Sequence, residues 1–514
     1  MYRIGIDVGG TNTDAAILDE NMNVIHALKE PTTKDVESGI FNALKRVVHE
    51  SRIDCSKIQY AVVGTTHCTN AIVERKRLNK IGYIRICKPS TTAIPPFADW
   101  PQDLVDEINV HSEMISGGYE FDGRKISNLN KEEVKNFCEV VKGKVTSIAV
   151  CGVFSPVNKE QEEQVADWIR EYLGNIHISL SNEIGSIGIL ERENATILNS
   201  ALVTTGQMVV NGFKKSLETM DINCPIYFSQ NDGTLMNLEY TLKYPIFTIG
   251  CGPTNSIRGA AFLSGIKDAL VLDVGGTTSD FGVLSNGFPR QSSLPASIGG
   301  VRTNFRMPDI LSIGLGGGTR VRNNDDEITV GPDSVGYELN TESLIFGGKK
   351  LTLSDIVTKL GKAFEDKKDK VKNLSSEVCE KVYEIIKDKL EDGIDLMKTS
   401  SEKVPLILVG GGSIIVPEKL NGVSEIIRPK YYGAANAIGA ALGQVSGSVE
   451  KVYKLDSISR KDAINDAAEI AKKRASLAGA DEKTLEILTI EDVPLSYLPG
   501  NAVLIKIKVV GDLK

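Results

Sequence analysis

The chain has 514 residues, too many for one hydrophobic core, so two or three domains are expected. It is 41% hydrophobic and 25% charged with 48 glycines, which excludes a disordered or collagen-like chain and points to many tight turns. A net charge of −8 with no long basic run removes the main drive for nucleic acid binding, so no nucleic acid partner is expected.

The chain begins with an apolar run at 4–8 that reads as a strand, without the apolar core or cleavage site of a secretion signal. Residues 35–50 and 158–173 have the apolar spacing and acidic starts of amphipathic helices, and 61–63 and 148–151 read as buried strands. Further helices are predicted over 187–217 and 375–398. Segment 366–378 is charge-rich and predicts a solvated surface. Toward the end come a polar helical stretch at 460–480 and a strand at 502–510. No apolar stretch reaches membrane-spanning length, and the eight cysteines are scattered with no C-x-x-C pair. The expectation is a cytoplasmic chain with reduced thiols, no membrane association and closely packed domains.

One octet occurs twice. Residues 7–14 read D-V-G-G-T-N-T-D and 273–280 read D-V-G-G-T-T-S-D, each between two apolar runs, so each predicts strand, turn, strand. The glycine pairs Gly9-Gly10 and Gly275-Gly276 allow positive φ and clear space for a phosphate beside exposed backbone amides. Thr11, Asn12, Thr13, Thr277, Thr278 and Ser279 add short polar side chains. Asp7 and Asp273 supply carboxylates suited to hydrated Mg²⁺ or to orienting water. Two more glycine clusters follow apolar runs, Gly314 with Gly316–Gly318 and Gly410–Gly412. Neither meets G-x-G-x-x-G, and no P-loop sequence occurs, so the warrant for a Rossmann site or a P-loop is missing.

Two phosphate turns followed by a late strand-GGGS segment resemble the actin, Hsp70 and sugar-kinase superfamily. That resemblance implies an α/β fold of two ribonuclease-H-like domains around a nucleotide cleft. It implies ATP phosphates at Gly9, Gly10, Thr11, Asn12, Thr13, Gly275, Gly276, Thr277 and Thr278, with Gly316 and Gly317 beside them. Gly410, Gly411 and Gly412 would meet the nucleoside, and Asp7 and Asp273 would hold Mg²⁺ through ATP or position the attacking group. A more specific likeness lies between the turns. The segment 64–76 (GTTHCTNAIVERK), then 181–184 with 191–199, 228–236, 250–254, 313–318 and 330–334 occur in the order of the hydantoinase A and 5-oxoprolinase family.

This likeness covers roughly residues 2–440. It implies an N-terminal half at 1–178, an ATPase half at 179–447, and a short C-terminal α+β extension at 448–514. Two departures concern the substrate: family members commonly carry a cysteine-containing segment where this chain has 336–343, and the C-terminal region is short.

The activity implied is ATP-dependent opening of a hydantoin, 5-oxoproline or related cyclic amide by phosphorylation of its carbonyl oxygen. Relatives that carboxylate ketones imply an enol phosphate instead. A hydantoinase B-like second subunit and an oligomer are implied partners. Thr65, Thr66, His67, Thr69 and Asn70 form a polar strand-end cluster suited to substrate, with His67 a candidate catalytic residue or transition-metal ligand. His111 with Glu113 is a second, weaker metal candidate. Cys68 and Cys251 read as buried and inert, and Asp355 either matches a family acid or caps a helix. A small-molecule kinase suits the first turn alone, and an Hsp70-like scaffold would need a peptide-binding domain that the sequence does not show.

Overall fold

The computed structural model describes all residues except 10–11, 32–35, 186, 293–295, 306, 325–326 and 497. Both octets form the predicted strand–turn–strand units, and each opens a sheet of the same plan. In the first sheet, strands Tyr2–Val8, Asn12–Asp19 and Val24–Pro31 form an antiparallel meander. Ile58–Thr65 then pairs parallel to the first strand, with Ile226–Ser229 parallel beyond it. The second sheet repeats this with Ala269–Val274, Ser279–Ser285 and Ile310–Ile313 antiparallel, then Val404–Val409 and Val423–Ile427 parallel. This is the ribonuclease-H-like order, present twice. The helix–sheet alternation follows from apolar strands whose faces must be covered by helices.

Each sheet carries one helix of small residues on the face toward the other. Cys251–Ser264 packs on the second sheet and Ala435–Ala441 on the first, and the two helices pack against each other. At Gly259 a side chain would collide with the Ala435 carbonyl, and at Gly439 with that of Asn255. Backbones therefore touch where the halves meet, which brings the ends of both first strands together.

A third, all-parallel sheet is inserted after Thr65: Asn109–Ser116, Ile81–Lys88, Ser147–Gly152 and His177–Leu180, in that spatial order. Its apolar strands are covered on one face by helices Lys131–Val141 and Glu160–Leu173. The 31-residue helix Ile189–Thr219 covers the other face. A fully buried pair locks that helix down: Arg85 Nε donates to Glu193 Oε2 at 2.6 Å and Nη2 to Oε1 at 2.7 Å.

The sheets do not follow the linear division expected at 178 and 447. Strands 226–229 and 235–237, and then Val445–Lys454, Ala502–Gly511 and Glu486–Pro494, complete the nine-stranded sheet that residue 2 begins. The C-terminal α+β segment is thus an extension of the first sheet, laid down through the pairing of Leu235 with Val445. Its helix Arg460–Ala478 buries a stripe of alanines, Ala463, Ala467, Ala471, Ala475 and Ala478, against it. Sequence spacing reveals such a stripe but not which distant strand it covers.

Candidate functional site

In both hairpins the turn closes in the same way. Gly9 N–H donates to the Asn12 carbonyl at 3.0 Å, and Gly275 N–H to the Thr278 carbonyl at 2.9 Å. Gly10 and Thr11 lie outside the described residues. Thr13 is buried on the second strand, while Thr277 is exposed at the tip of its turn. Gly316–Gly318 packs behind the second turn: Gly317 N–H donates to the Gly275 carbonyl at 3.1 Å and Gly318 N–H to that of Gly276 at 2.7 Å. Gly410 is held at φ +84° where a side chain would strike Asp273, and Gly412 lies against the Gly275 carbonyl. The three glycine segments of the second half are therefore one surface.

The register fixes the carboxylates. Asp7 lies directly across from Asp14, and Asp273 from Asp280. On the third strand of each meander the opposite residue is Lys29 in the first half and Ser312 in the second. Lys29 Nζ donates to Asp14 Oδ2 at 2.8 Å, and its stem lies along Gly411, spanning the two halves. Ser312 donates its hydroxyl to Asp280.

Asp7 and Asp273 are bridged by the two small-residue helices. Asn255 Nδ2 donates to Asp7 Oδ1 and Asn436 Nδ2 to Asp7 Oδ2, both at 3.4 Å. The Ser256 hydroxyl stands between Asp273 Oδ2 and Asn436 Oδ1, within hydrogen-bond reach of each. Gly64 is glycine because a side chain there would meet Asp7 and Asn255.

Burial pushes the Asp7 carboxyl up to about 6, and the facing Asp14 charge adds to it against the two asparagines. Asp280 is likewise pushed up to about 6, first by burial and then by Asp273, against the Ser312 hydrogen bond. Burial also raises Asp14, opposed by Lys29, and raises Asp273, opposed by Ser256, Lys29 and Asn436. Carboxylates thus gather faster than compensating charge, a field that favours a bound cation.

The expected substrate cluster adjoins this centre. Thr66 donates both its N–H, at 3.2 Å, and its hydroxyl, at 3.1 Å, to the Val8 carbonyl beside Asp7. His67 opens helix His67–Glu74, with Nδ1 2.7 Å from Thr65 Oγ1. Burial, with Arg77 adding, pushes its imidazole down to about 4, so the ring is neutral at pH 7. Thr69 Oγ1 accepts from Gly250 N–H at 3.4 Å, and Asn70 Nδ2 reaches Thr66 Oγ1 at 3.5 Å. Burial lifts the Cys68 thiol to about 11 and Cys251 to about 12, so neither is a ready nucleophile.

His111 is not part of the centre. It sits on the edge strand of the inserted sheet, 3.2 Å from Glu113, with its ring against Phe137. Asp355 forms a capping box with Thr352 on helix Leu353–Lys359 and also accepts from Ile345 N–H. Among the described residues no group of three or more His, Cys, Asp or Glu could hold a metal ion.

Asp14, Lys29, Asn255, Ser256, Asp280 and Asn436 escaped the sequence reading. Asp14 and Asp280 were visible as the last residue of each octet, and strand pairing across a two-residue turn would have placed them opposite Asp7 and Asp273. The two asparagines carry no local signal.

Comparison with known proteins accords with this architecture. The hydantoinase/oxoprolinase N-terminal region matches residues 3–173, and the hydantoinase/oxoprolinase family matches 192–367. An uncharacterized protein of Methanocaldococcus jannaschii is 24% identical over all of this chain and 82% of its own. Caprolactamase subunit alpha of Pseudomonas jessenii is 25% identical over 70% of this chain and 54% of its own. Acetophenone carboxylase gamma subunit of Aromatoleum aromaticum is 24% identical over 70% and 53%. The chain thus spans about half the length of these last two relatives. The solved ATP-dependent caprolactamase from Pseudomonas jessenii superposes with a TM-score of 0.77 at 18% identity, covering 100% of this chain and 88% of that one. Acetone carboxylase in its nucleotide-free structure gives 0.74 at 16% identity, with the same coverage. The chain belongs to the hydantoinase/oxoprolinase family.

Proposed function

We propose that the chain is the nucleotide-using component of an ATP-dependent enzyme that opens a cyclic amide or imide by phosphorylating its carbonyl oxygen. One observation carries this reading: the paired hairpins bring Asp7 and Asp273 together through Asn255, Ser256 and Asn436, between two glycine turns. The caprolactamase likeness supports an ATP-dependent reaction on a lactam.

ATP phosphates would lie along Gly9–Thr13 and Gly275–Thr278, with the nucleoside at Gly410–Gly412. Asp7 and Asp273 would hold Mg²⁺ through the nucleotide, since a hydrated Mg²⁺ needs only one or two carboxylates. The donor set fits, because the carboxylates crowd one another and the buried Asn255 Oδ1 accepts no hydrogen bond among the described residues. The ion would neutralise phosphate charge. Lys29 can add a second positive charge without leaving the cleft.

The lactam oxygen forms a bond to the terminal phosphorus as the bond to ADP breaks. Water then adds to the activated carbon, and the ring C–N bond breaks with a proton passing to the amine. A second water releases phosphate from the acyl phosphate. Thr65, Thr66, Thr69 and Asn70 would orient the ring, and neutral His67 can accept a proton from water.

The acetophenone carboxylase likeness supports a second reading, in which a ketone is phosphorylated as its enol for carboxylation. Relatives named as subunits support a hydantoinase B-like partner in either case. The test is ATP turnover with caprolactam, 5-oxoproline, or acetophenone plus bicarbonate, alone and with such a partner. ADP and phosphate release with ring opening is expected. A stable phosphorylated product, or turnover indifferent to every compound, would sink the proposal.

A further inference from the structure

A second concavity lies at the carboxyl ends of parallel strands. It encloses about 450 Å³, within the range of small-molecule sites. Residues 230–232 follow strand Ile226–Ser229 of the first sheet, and 183–185 follow strand His177–Leu180 of the inserted sheet. The carboxyl ends of two parallel arrays therefore meet here, where open α/β sheets place ligands. Phe305 closes one side from the second half, and residues 446–450, Arg474 and 506–508 close the other.

The walls differ in chemistry. The rings of Tyr240 and Phe247 stack at 6.3 Å with a 14° interplanar angle, and Phe305 meets Phe247 edge-on at 5.7 Å. Asp232 is neutralised by Lys508 at 2.8 Å, and Glu183 by Lys243 at 2.9 Å. Arg474 differs. Its Nη1 donates to the Ser448 carbonyl at 2.8 Å and Nη2 to the Asn182 carbonyl at 3.2 Å, and among the described residues no carboxylate pairs with it. Two backbone contacts fix the guanidinium, which makes no ion pair among the described residues, in a lining that also carries Glu450 and Glu491.

The cavity also communicates with the carboxylate centre. The Asn231 carbonyl on its rim accepts the Thr254 hydroxyl at 3.0 Å, and the next residue, Asn255, donates to Asp7. Arg474 and residues 446–508 lie beyond residue 367, where the family match ends.

We propose that this cavity binds a small organic acid, its apolar ring or chain against Tyr240, Phe247 and Phe305 and its carboxylate on Arg474. It is a binding site apart from the Thr65, Thr66, Thr69 and Asn70 cluster, and it does not rest on the carbonyl-phosphorylation reading.

The experiment measures binding of 5-oxoproline, a lactam with a carboxylate, and of uncharged caprolactam by titration calorimetry. It uses the full chain, Arg474→Gln, Arg474→Lys, and Ser448→Trp, which fills the cavity and keeps its backbone carbonyl. Binding of a fluorescent ATP analogue and thermal melting report an intact fold. Arg474→Gln is expected to weaken 5-oxoproline by about 10-fold or more while Arg474→Lys recovers part of it, the scale of one charge-assisted contact. Ser448→Trp is expected to block it, with ATP analogue affinity kept in all variants. No saturable 5-oxoproline binding, or equal binding in Arg474→Gln and Ser448→Trp, overturns the proposal. Binding that follows this pattern without stimulated turnover would remove the phosphorylation reading and leave the site standing. Stimulated turnover that both variants leave untouched would do the reverse.

Discussion

The two hairpins share a register and differ in what answers their second carboxylate. In the first half Asp14 faces Lys29, an ammonium; in the second Asp280 faces Ser312, a hydroxyl. Each is a hydrogen bond to a carboxylate, and only the first brings a positive charge into the cleft. Repetition of a backbone therefore does not repeat its electrostatics. The first half holds the positive charge, and the second supplies the packed glycine surface.

The largest effect that would break this comparison is at Asp7. Asp7→Asn is expected to lower ATP turnover by about 10³-fold or more, the scale of losing a preorganised charge at a reaction centre. The same substitution is expected to stabilise the nucleotide-free protein. Because the folded carboxyl is raised from 3.8 to about 6, the folded state binds the extra proton, so stability falls as pH rises through that window and then levels off. At pH 7–8 the Asn variant should gain about 2–3 kcal/mol in a denaturant melt, and at pH 3.5 nothing. A gain that does not depend on pH would break the electrostatic account.

A smaller effect is expected at Lys29. Lys29→Met leaves Asp14, 4% exposed, without its cation, at a cost of about 2 kcal/mol once the lysine's partial exposure is allowed for. Its denaturation midpoint should drop, with the loss shrinking as pH falls and Asp14, raised by burial, takes up a proton. The smallest belongs to Ser312→Ala, expected to cost about 1 kcal/mol with ATP analogue affinity unchanged. Equal losses at Lys29 and Ser312 would erase the difference between the halves.

Much of this architecture was legible. The repeated octet gave both hairpins, and amphipathic spacing put helices at 36–51, 160–173, 189–219 and 376–397, within two residues of the reading. Local sequence reports local structure. The misread parts depend on pairing over distance: strand 445–454 beside Leu235, or Asn436 against Asp7 across more than 400 residues. The helix carrying Asn436 reads ANAIGAA, which looks like filler until Gly439 and Ala435 are seen touching the backbone of the opposing helix. Segment 366–378 was read as solvated surface. It is largely exposed, apart from Val371, which an apolar residue in a charged run foreshadows poorly.

The closure of the first sheet by residues 445–511 sets an order of events during synthesis. Residues 269–427 contain every strand of the second sheet and can complete it while the chain is still growing. The sheet begun by residue 2 must wait for its outer strands, which join it through the long-range pairing of Leu235 with Val445, a contact of high sequence separation. The half made first is therefore the half finished last, and until then strand 235–237 presents an unsealed edge. A nascent chain halted near residue 430 should show a protease-resistant second half and a labile first one, with the C-terminal strands acting as the seal.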